Sequence, residues 1–241
     1  MIRRLLAQAG LELRLLLRNG ENLLVTLGIP IALLVFFSLV DVLPSPGEPR
    51  VNFLVPGVLA LSVVGAAMVS LGISTGFERY YLVLKRLGAT PLRRSELIAA
   101  KVLAILATEL LQVIAVVGVG LALGWNPQLS YVWLAALALL LGTAAFAGIG
   151  LGLAGGLRAI ATLAITNALF GLMLLVSGII FPLKALPHPL TLIALALPAA
   201  PLADLLRAGL HATAVPWPDL AILSAWAVAA PLLAARVFRW E

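Results

Sequence analysis

The chain contains no cysteine, which excludes disulfides, thiolate nucleophiles and cysteine-based metal sites. Charge is scarce: Asp, Glu, Lys and Arg make up 11% of its 241 residues. A soluble globular domain carries about 25%. There are only two histidines, His188 and His211, and neither has a local partner at metal-ligand spacing. No G-x-x-x-x-G-K-S/T motif occurs and no glycine precedes any lysine, so the chain has no nucleotide-binding P-loop. Ser/His and His/Asp/Glu constellations suited to catalysis on facing helices are also missing.

What is present is apolar. Hydrophobic residues are 63% of the sequence, and mean hydropathy is +1.14. A chain this apolar cannot cover a core with polar surface in water, so the solvent is a lipid bilayer. There the backbone must satisfy its own hydrogen bonds, which leaves helices or closed barrels. Barrel strands alternate with period two, whereas this chain has long unbroken apolar runs. The expected fold is an all-α membrane protein forming one transmembrane domain over residues 1–241. The net charge of +6 does not point to nucleic acid. Its basic residues flank apolar runs, where they meet anionic headgroups, so membrane lipids are the expected contact.

Six runs reach the roughly 20 residues that a span requires: 22–43, 51–77, 97–123, 131–153, 160–181 and 219–237. Before them, residues 1–20 form an amphipathic pattern interrupted by charges, which reads as an interfacial helix rather than a leader. Ile2, Leu5, Leu6, Ala9, Leu13, Leu16 and Leu17 share one arc, with the arginines, Gln8 and Glu12 opposite. Leu11 and Leu15 interrupt that polar face, so the face is expected either to touch protein or to belong to a plain lipid-surface anchor. Pro44 to Arg50 reads as a turn-rich loop, Trp125 and Trp133 as interfacial anchors, and Gly155-Gly156-Leu157-Arg158 as a tight return. Gly65, Gly72 and Gly76 in one run and Gly148, Gly150 and Gly152 in another allow close helix packing.

Residues 182–217 break the pattern, with Pro182, Pro187, Pro189, Pro198, Pro201 and Pro216 in apolar sequence. A span there would hold two interior prolines at about 3 kcal/mol each, besides Asp204 and Arg207. A re-entrant helical hairpin avoids most of that cost. With six spans, 13 of the 16 Lys and Arg residues fall on one side. The positive-inside rule makes that side cytoplasmic and puts both termini there.

The longest loop on the basic side, residues 78–96, is expected to hold a short helix over 78–87. Gly88 would end it, and Thr90-Pro91 would cap the next helix. This helix would present Tyr81, Leu82, Leu84 and Lys85 beside charge, either as a protein-docking face or as a basic loop resting on anionic lipid. Glu109 sits inside the third apolar run, with Thr108 beside it and Gln112 one turn on. An ionisable group there marks a candidate cargo path with Gln112, Thr166 and Asn167, or an interhelical hydrogen bond to Thr143, Thr166 or Asn167.

Three stretches carry a family likeness. Leu84-Lys85-Arg86-Leu87-Gly88-Ala89-Thr90-Pro91-Leu92, with Glu96 and Lys101, resembles the permease subunits of ABC-2 type transporters. Ser177-Gly178-Ile179-Ile180-Phe181-Pro182-Leu183-Lys184-Ala185-Leu186-Pro187, followed by Leu197-Pro198 and Asp204-Leu205-Leu206-Arg207, is similar to that family's fifth span and outer re-entrant region. Glu12-Leu13-Arg14, Arg18-Asn19 and Asn22 resemble its N-terminal interfacial helix. The likeness runs nearly the length of the chain and is nearest to daunorubicin-resistance-like multidrug exporter permeases; haem-exporter-like permeases fit the 85–92 stretch less well. It implies export of an amphipathic cargo (a drug, lipid or lipid-linked glycan) from a bacterial cell membrane. It also implies a second permease copy and a separate cytoplasmic ATPase subunit that binds ATP and magnesium; no cofactor is expected on this chain. The segment with Glu78, Arg79, Tyr81, Leu82, Leu84, Lys85 and Arg86 then corresponds to the coupling helix that docks on the ATPase. A lipid-modifying intramembrane enzyme and a passive channel or scaffold are the alternatives, and neither needs such a helix.

The topology is directly testable because the chain offers no thiol background. A cysteine at Ser45 should react with an impermeant thiol reagent from outside the cell, and one at Ser95 only from inside. Labelling of both from one side would end the six-span reading.

Overall fold

The computed structural model describes residues 2–20, 24–40, 49–90, 94–180, 183 and 187–237. Asn22, Leu43, the loop residues 44–48, Pro91, Leu92, Arg93, Phe181, Pro182 and the stretch 184–186, all named above, lie outside the described residues, as does Arg239. The described residues form helices and no strand.

In chain order, α1 is Ile2–Arg18. A π-turn, Leu24–Gly28, runs into α2, Ile29–Leu39. α3 is the continuous rod Arg50–Tyr80, whose centre, Val64–Ser70, is wound as π-helix. After it come α4, Val83–Gly88, and α5, Arg94–Ala122. A 3-10 turn, Leu129–Tyr131, leads into α6, Val132–Gly156. α7 is Ala159–Val176, α8 His188–Ala196, α9 Ala199–His211 and α10 Trp217–Val237. Five of these are long and apolar enough to cross a membrane: α3, α5, α6, α7 and α10. The chain is therefore a multi-pass, all-α membrane protein. The first expected span appears as a shorter apolar helix, Thr26–Leu39, within the described residues. α6 runs on through Gly155 and Gly156, so the expected tight return is confined to Leu157 and Arg158.

Glycine notches fix the direction of each helix. A Cβ on Gly150 of α6 would lie 2.7 Å from the Met68 carbonyl oxygen, and one on Gly72 of α3 would lie 3.1 Å from the Gly150 carbonyl oxygen. The notch meets the π-wound part of α3, where the backbone carbonyls depart from regular helical geometry. Eleven residues past Met68, Arg79 reaches the carbonyls of Gly155 and Leu157, so α3 and α6 run parallel. Lys101 of α5 meets Glu78, while Gly120 lies against Val55, which makes α5 antiparallel to α3. α7 is antiparallel too, with Gly76 facing Ala159 and Gly65 facing Phe170. On the other face of α6, Gly148 abuts Ala230 and Pro231, Gly152 abuts Ala234 and Gly156 abuts Val237. α10 therefore runs parallel to α6.

This register decides the proline-rich segment. α7 climbs from the basic end, near Arg79, to the far end, near Asn52, and α10 starts from that far end. The chain between them must return to the side it left. α8 and α9 do so as a helical pair bent by 80°. Local sequence makes the bend: Leu197 is extended (φ −82°, ψ 150°), as a residue preceding proline prefers, and Pro198 opens α9. At the deep point the Trp226 indole donates to the Ala196 carbonyl at 2.9 Å. At the far end the Gln128 amide donates to Leu210 at 2.8 Å, and the His211 ring donates to Asn52 at 2.9 Å. The hairpin packs on α6 where Leu202 meets Gly142 and Gly209 meets Ala135, with Leu205 and Leu206 also buried. Trp125 does not anchor an interface: it is buried against Gly120, and only Trp133 is exposed.

Gly150→Val should destabilise the bundle by about 1–3 kcal/mol, the usual cost of overpacking. Gly118→Val, at a position with nothing within 4 Å, should not. Equal melting shifts for the two in detergent would contradict the notch.

Candidate functional site

Two features meet at the basic end of the bundle: an exposed turn after α3 and a cavity beside it. The turn begins where α3 is held most firmly. Lys101 Nζ of α5 donates to Glu78 Oε1 at 2.7 Å and to Glu12 Oε2 of α1 at 3.1 Å. Gln8 Nε2 donates to the other oxygen of Glu12 at 2.9 Å. One residue along, the Arg79 guanidinium donates to the last carbonyls of α6 and its exit turn, groups that lack helical partners of their own.

Just past this clamp the helix ends. Leu82 has φ +59°, in the left-handed region that a leucine rarely adopts. The helix expected over 78–87 is therefore two pieces, with Glu78 and Arg79 on the end of α3 and only Val83–Gly88 beyond the break. Gly88 stays inside α4 without a positive φ. The Thr90 hydroxyl closes back on the Leu87 carbonyl at 2.6 Å. The break turns Tyr80 (68% exposed) and Tyr81 (63%) outward together with Leu82 and Val83, their two rings edge to face at 5.1 Å. Lys85 and Arg86 are exposed as well. Leu84 is not: it is 0% exposed within the core, which corrects the expectation that it joins the outward face. A reversed backbone at Leu82 moves the next residues to a different side of the rod from the one a continuous helix assigns them.

The cavity, about 620 Å³, lies between α1, the Leu24–Gly28 π-turn and the start of α2, α3, α5 and α7. Its basic end is formed by Glu12, Glu78 and Lys101. Leu61, Val69, Ile73, Ile105 and Phe170 make the apolar walls, with Asn19, Ser74 and Asn167 as polar points. Of the four residues expected on a cargo path, the structure brings Asn167 to this cavity, and it is exposed there. Thr166 is buried and donates to the Thr162 carbonyl at 2.8 Å. Gln112 donates to the Thr26 carbonyl at 2.8 Å, tying α5 to the π-turn. Glu109 is 5% exposed and bonded to the Thr143 hydroxyl of α6 at 2.5 Å. Neither Glu109 nor Gln112 lines the cavity. Among the described residues, no group of three or more His, Asp or Glu side chains could hold a metal ion.

The polar face of α1, interrupted by Leu11 and Leu15 and so expected to touch protein, does so through Glu12. It is buried toward α5 because Lys101 is there, while Leu6 and Leu17 of the apolar arc are exposed. The signal available was Lys101 itself, a cation inside the apolar run of α5.

A family model described as ABC-2 type transporter matches residues 6–211, from within α1 to the end of α9. No curated protein matches the chain.

Glu109→Leu should loosen the α5–α6 contact by roughly 0.6–2 kcal/mol, the range for an interhelical hydrogen bond in lipid. Glu109→Gln, which keeps the shape and a bonding group, should melt like the parent. A destabilised Gln variant would show that the charge itself is required.

Proposed function

The chain belongs to the ABC-2 type transporter family, and from that premise we propose that it moves an amphipathic cargo outward using ATP hydrolysed on a separate cytoplasmic subunit. The Tyr80–Val83 turn docks on that subunit, with Lys85 and Arg86 at its edge. ATP and magnesium belong to the partner, which acts on this chain by pushing. A second permease copy completes the transporter in a bacterial cell membrane, with the basic end and both termini in the cytoplasm.

The observation that carries this reading is the exposed aromatic and apolar turn at the tip of α3, on a rod that Glu78 and Arg79 tie to α5 and α6 just before it, with α1 joined through Lys101. Exposed aromatic rings beside cations suit a protein interface, where Tyr and Arg are enriched. A lever needs a contact point at its tip and rigid coupling behind it. Glu78 and Arg79 supply the coupling: displacement of the turn passes through Lys101 to α5 and α1, and through Arg79 to α6. The cavity lies along the same stretch of α3, so movement of the rod changes the cavity's shape. A catalytic role as a lipid-modifying enzyme or a passive channel gives the turn nothing to do.

Tyr80→Ala with Tyr81→Ala should abolish co-purification of the ATP-binding subunit, or leave its ATPase uncoupled from transport. Membrane insertion and melting should be unchanged, since both rings are exposed. Leu84→Ala should instead cost about 2–5 kcal/mol of stability, as a buried leucine does. Full transport and stimulated ATPase in the double tyrosine variant would mean that the turn rests on lipid.

A further inference from the structure

We propose that Arg207 is a latch at the far end of the cavity. Its withdrawal, together with Asp204, opens the seam between α3 and the exit of α7 to water on that side. This deepens the exporter reading by naming a residue that holds the exit shut, and rests on that reading only for the use made of the opening.

Position is the first support. The cavity's α3 wall runs from Glu78 to Leu61. One turn beyond Leu61 on the same face is Gly57, where a Cβ would lie 2.3 Å from the Ile179 carbonyl oxygen and 3.4 Å from the Arg207 guanidinium. A further turn along, the ring of Phe53 lies under the guanidinium, its centre 4.1 Å away. Past the cavity, α3 therefore meets the α7 exit backbone against backbone, with one arginine laid across the join. Arg207 belongs to neither helix; it is carried by α9 of the hairpin. The hairpin reaches the end of the cavity through this side chain, while its apolar packing is on α6, where Leu202 meets Gly142.

Bonding is the second support. The guanidinium donates to the Gly178 carbonyl, to Ile179 at 3.4 Å and to Asp204 at 2.9 Å, while Nε has no acceptor among the described residues. Asp204 lies one turn back on α9, so the arginine takes its counter-charge with it when the hairpin moves. Withdrawal breaks two backbone bonds and a ring contact but strands no charge. The Lys101 cluster at the basic end is the reverse case: its charges stand on α1, α3 and α5 and cannot part without stranding one. Of the two ends of α3, the far one opens more readily. The Gly178 and Ile179 carbonyls lose their donor when Arg207 leaves, and a bare carbonyl in lipid is costly. The open state must therefore be wet at this end, which couples release of the latch to entry of water from the far side.

The test uses the full-length chain in cell membranes, carrying Ser62→Cys as its one thiol, at the far end of the cavity lining. A small impermeant thiol reagent is applied from the side on which a cysteine at Ser45 reacts. With Arg207 intact the thiol should react slowly. Arg207→Gln should raise that rate at least about tenfold, the effect of losing one hydrogen bond to a charged group. Arg207→Lys, which keeps the charge but loses the planar fork, should raise it less. Leu202→Ala is the control: it loosens the hairpin on α6 and leaves Arg207 in place, so it should lower the melting temperature without raising the rate. If melting curves show that Arg207→Gln has unfolded, Arg207→Lys decides, and a rate equal to the parent's counts against the latch. An unchanged rate in folded Arg207→Gln, equal acceleration by Leu202→Ala, or fast reaction in the parent would overturn the proposal. No ATP-binding subunit is needed, so these results leave the docking role of Tyr80 and Tyr81 to its own experiment.

Discussion

Lys101 sits almost wholly inside a helical bundle, and an ammonium removed from water needs counter-charge at hydrogen-bond distance. That requirement organises the basic end of the molecule. To reach Lys101, α1 must lie with Glu12 turned inward, and α3 must continue straight past its apolar run until Glu78 comes level with α5. The pair cannot be loosened cheaply: removing one partner of a buried ion pair typically costs about 3–5 kcal/mol, because the remaining charge is stranded. Three helices far apart in sequence are thereby fixed at one point. The cavity above that point and the turn beyond it both take their positions from it.

The same point explains why the turn is placed as it is. A helix that simply left the bilayer would fray over its last turn. Here Arg79 occupies the first position past the ion cluster and takes the orphan carbonyls at the end of α6, so the rod stays ordered as far as Tyr80. The break at Leu82 then follows directly on the clamp. A rigid rod ending in an abrupt, exposed turn transmits displacement better than a long flexible loop, and a contact on Tyr80 or Tyr81 acts within three residues of Glu78 and Arg79, which bond α5 and α6.

Much of the fold was legible because lipid imposes strong rules: apolar runs of span length, with turns between them, locate α3, α5, α6, α7 and α10 to within a few residues. The glycines of α3 and α6 were legible for the same reason, since helices in lipid pack through small residues. Other features depend on what one helix meets on another. The wheel of α1 marks a polar face interrupted by Leu11 and Leu15 and open to protein, but not that α5 offers the cation that Glu12 meets. Leu84 looked exposed because a continuous helix over 78–87 was assumed, and no residue type announces a left-handed leucine. Trp125 resembled an interfacial anchor by its place beside a glycine-rich turn, yet Gly120 leaves a gap that its indole fills. The cavity was invisible for a like reason, drawing its lining from five helices and a π-turn.

At the far end the same physics takes a different form. Arg207 is mostly buried, and its nearest carboxylate, Asp204, is one turn away on the same helix at 2.9 Å. The other terminal nitrogen turns to backbone: it donates to the Gly178 carbonyl and, at 3.4 Å, to Ile179, while the guanidinium face covers Phe53 at 4.1 Å. Those carbonyls are available because α7 has ended and the chain bends through Gly178, whose φ of +71° suits glycine. Gly57 makes the approach possible, since a Cβ there would lie 2.3 Å from the Ile179 oxygen. A straight span over these residues would have presented Arg207 and Asp204 to neighbours whose own backbone groups were already bonded. The bent pair instead brings the arginine to a place where an unwound segment leaves carbonyls free, so the hairpin and its charge are accommodated by the same break in regular helix.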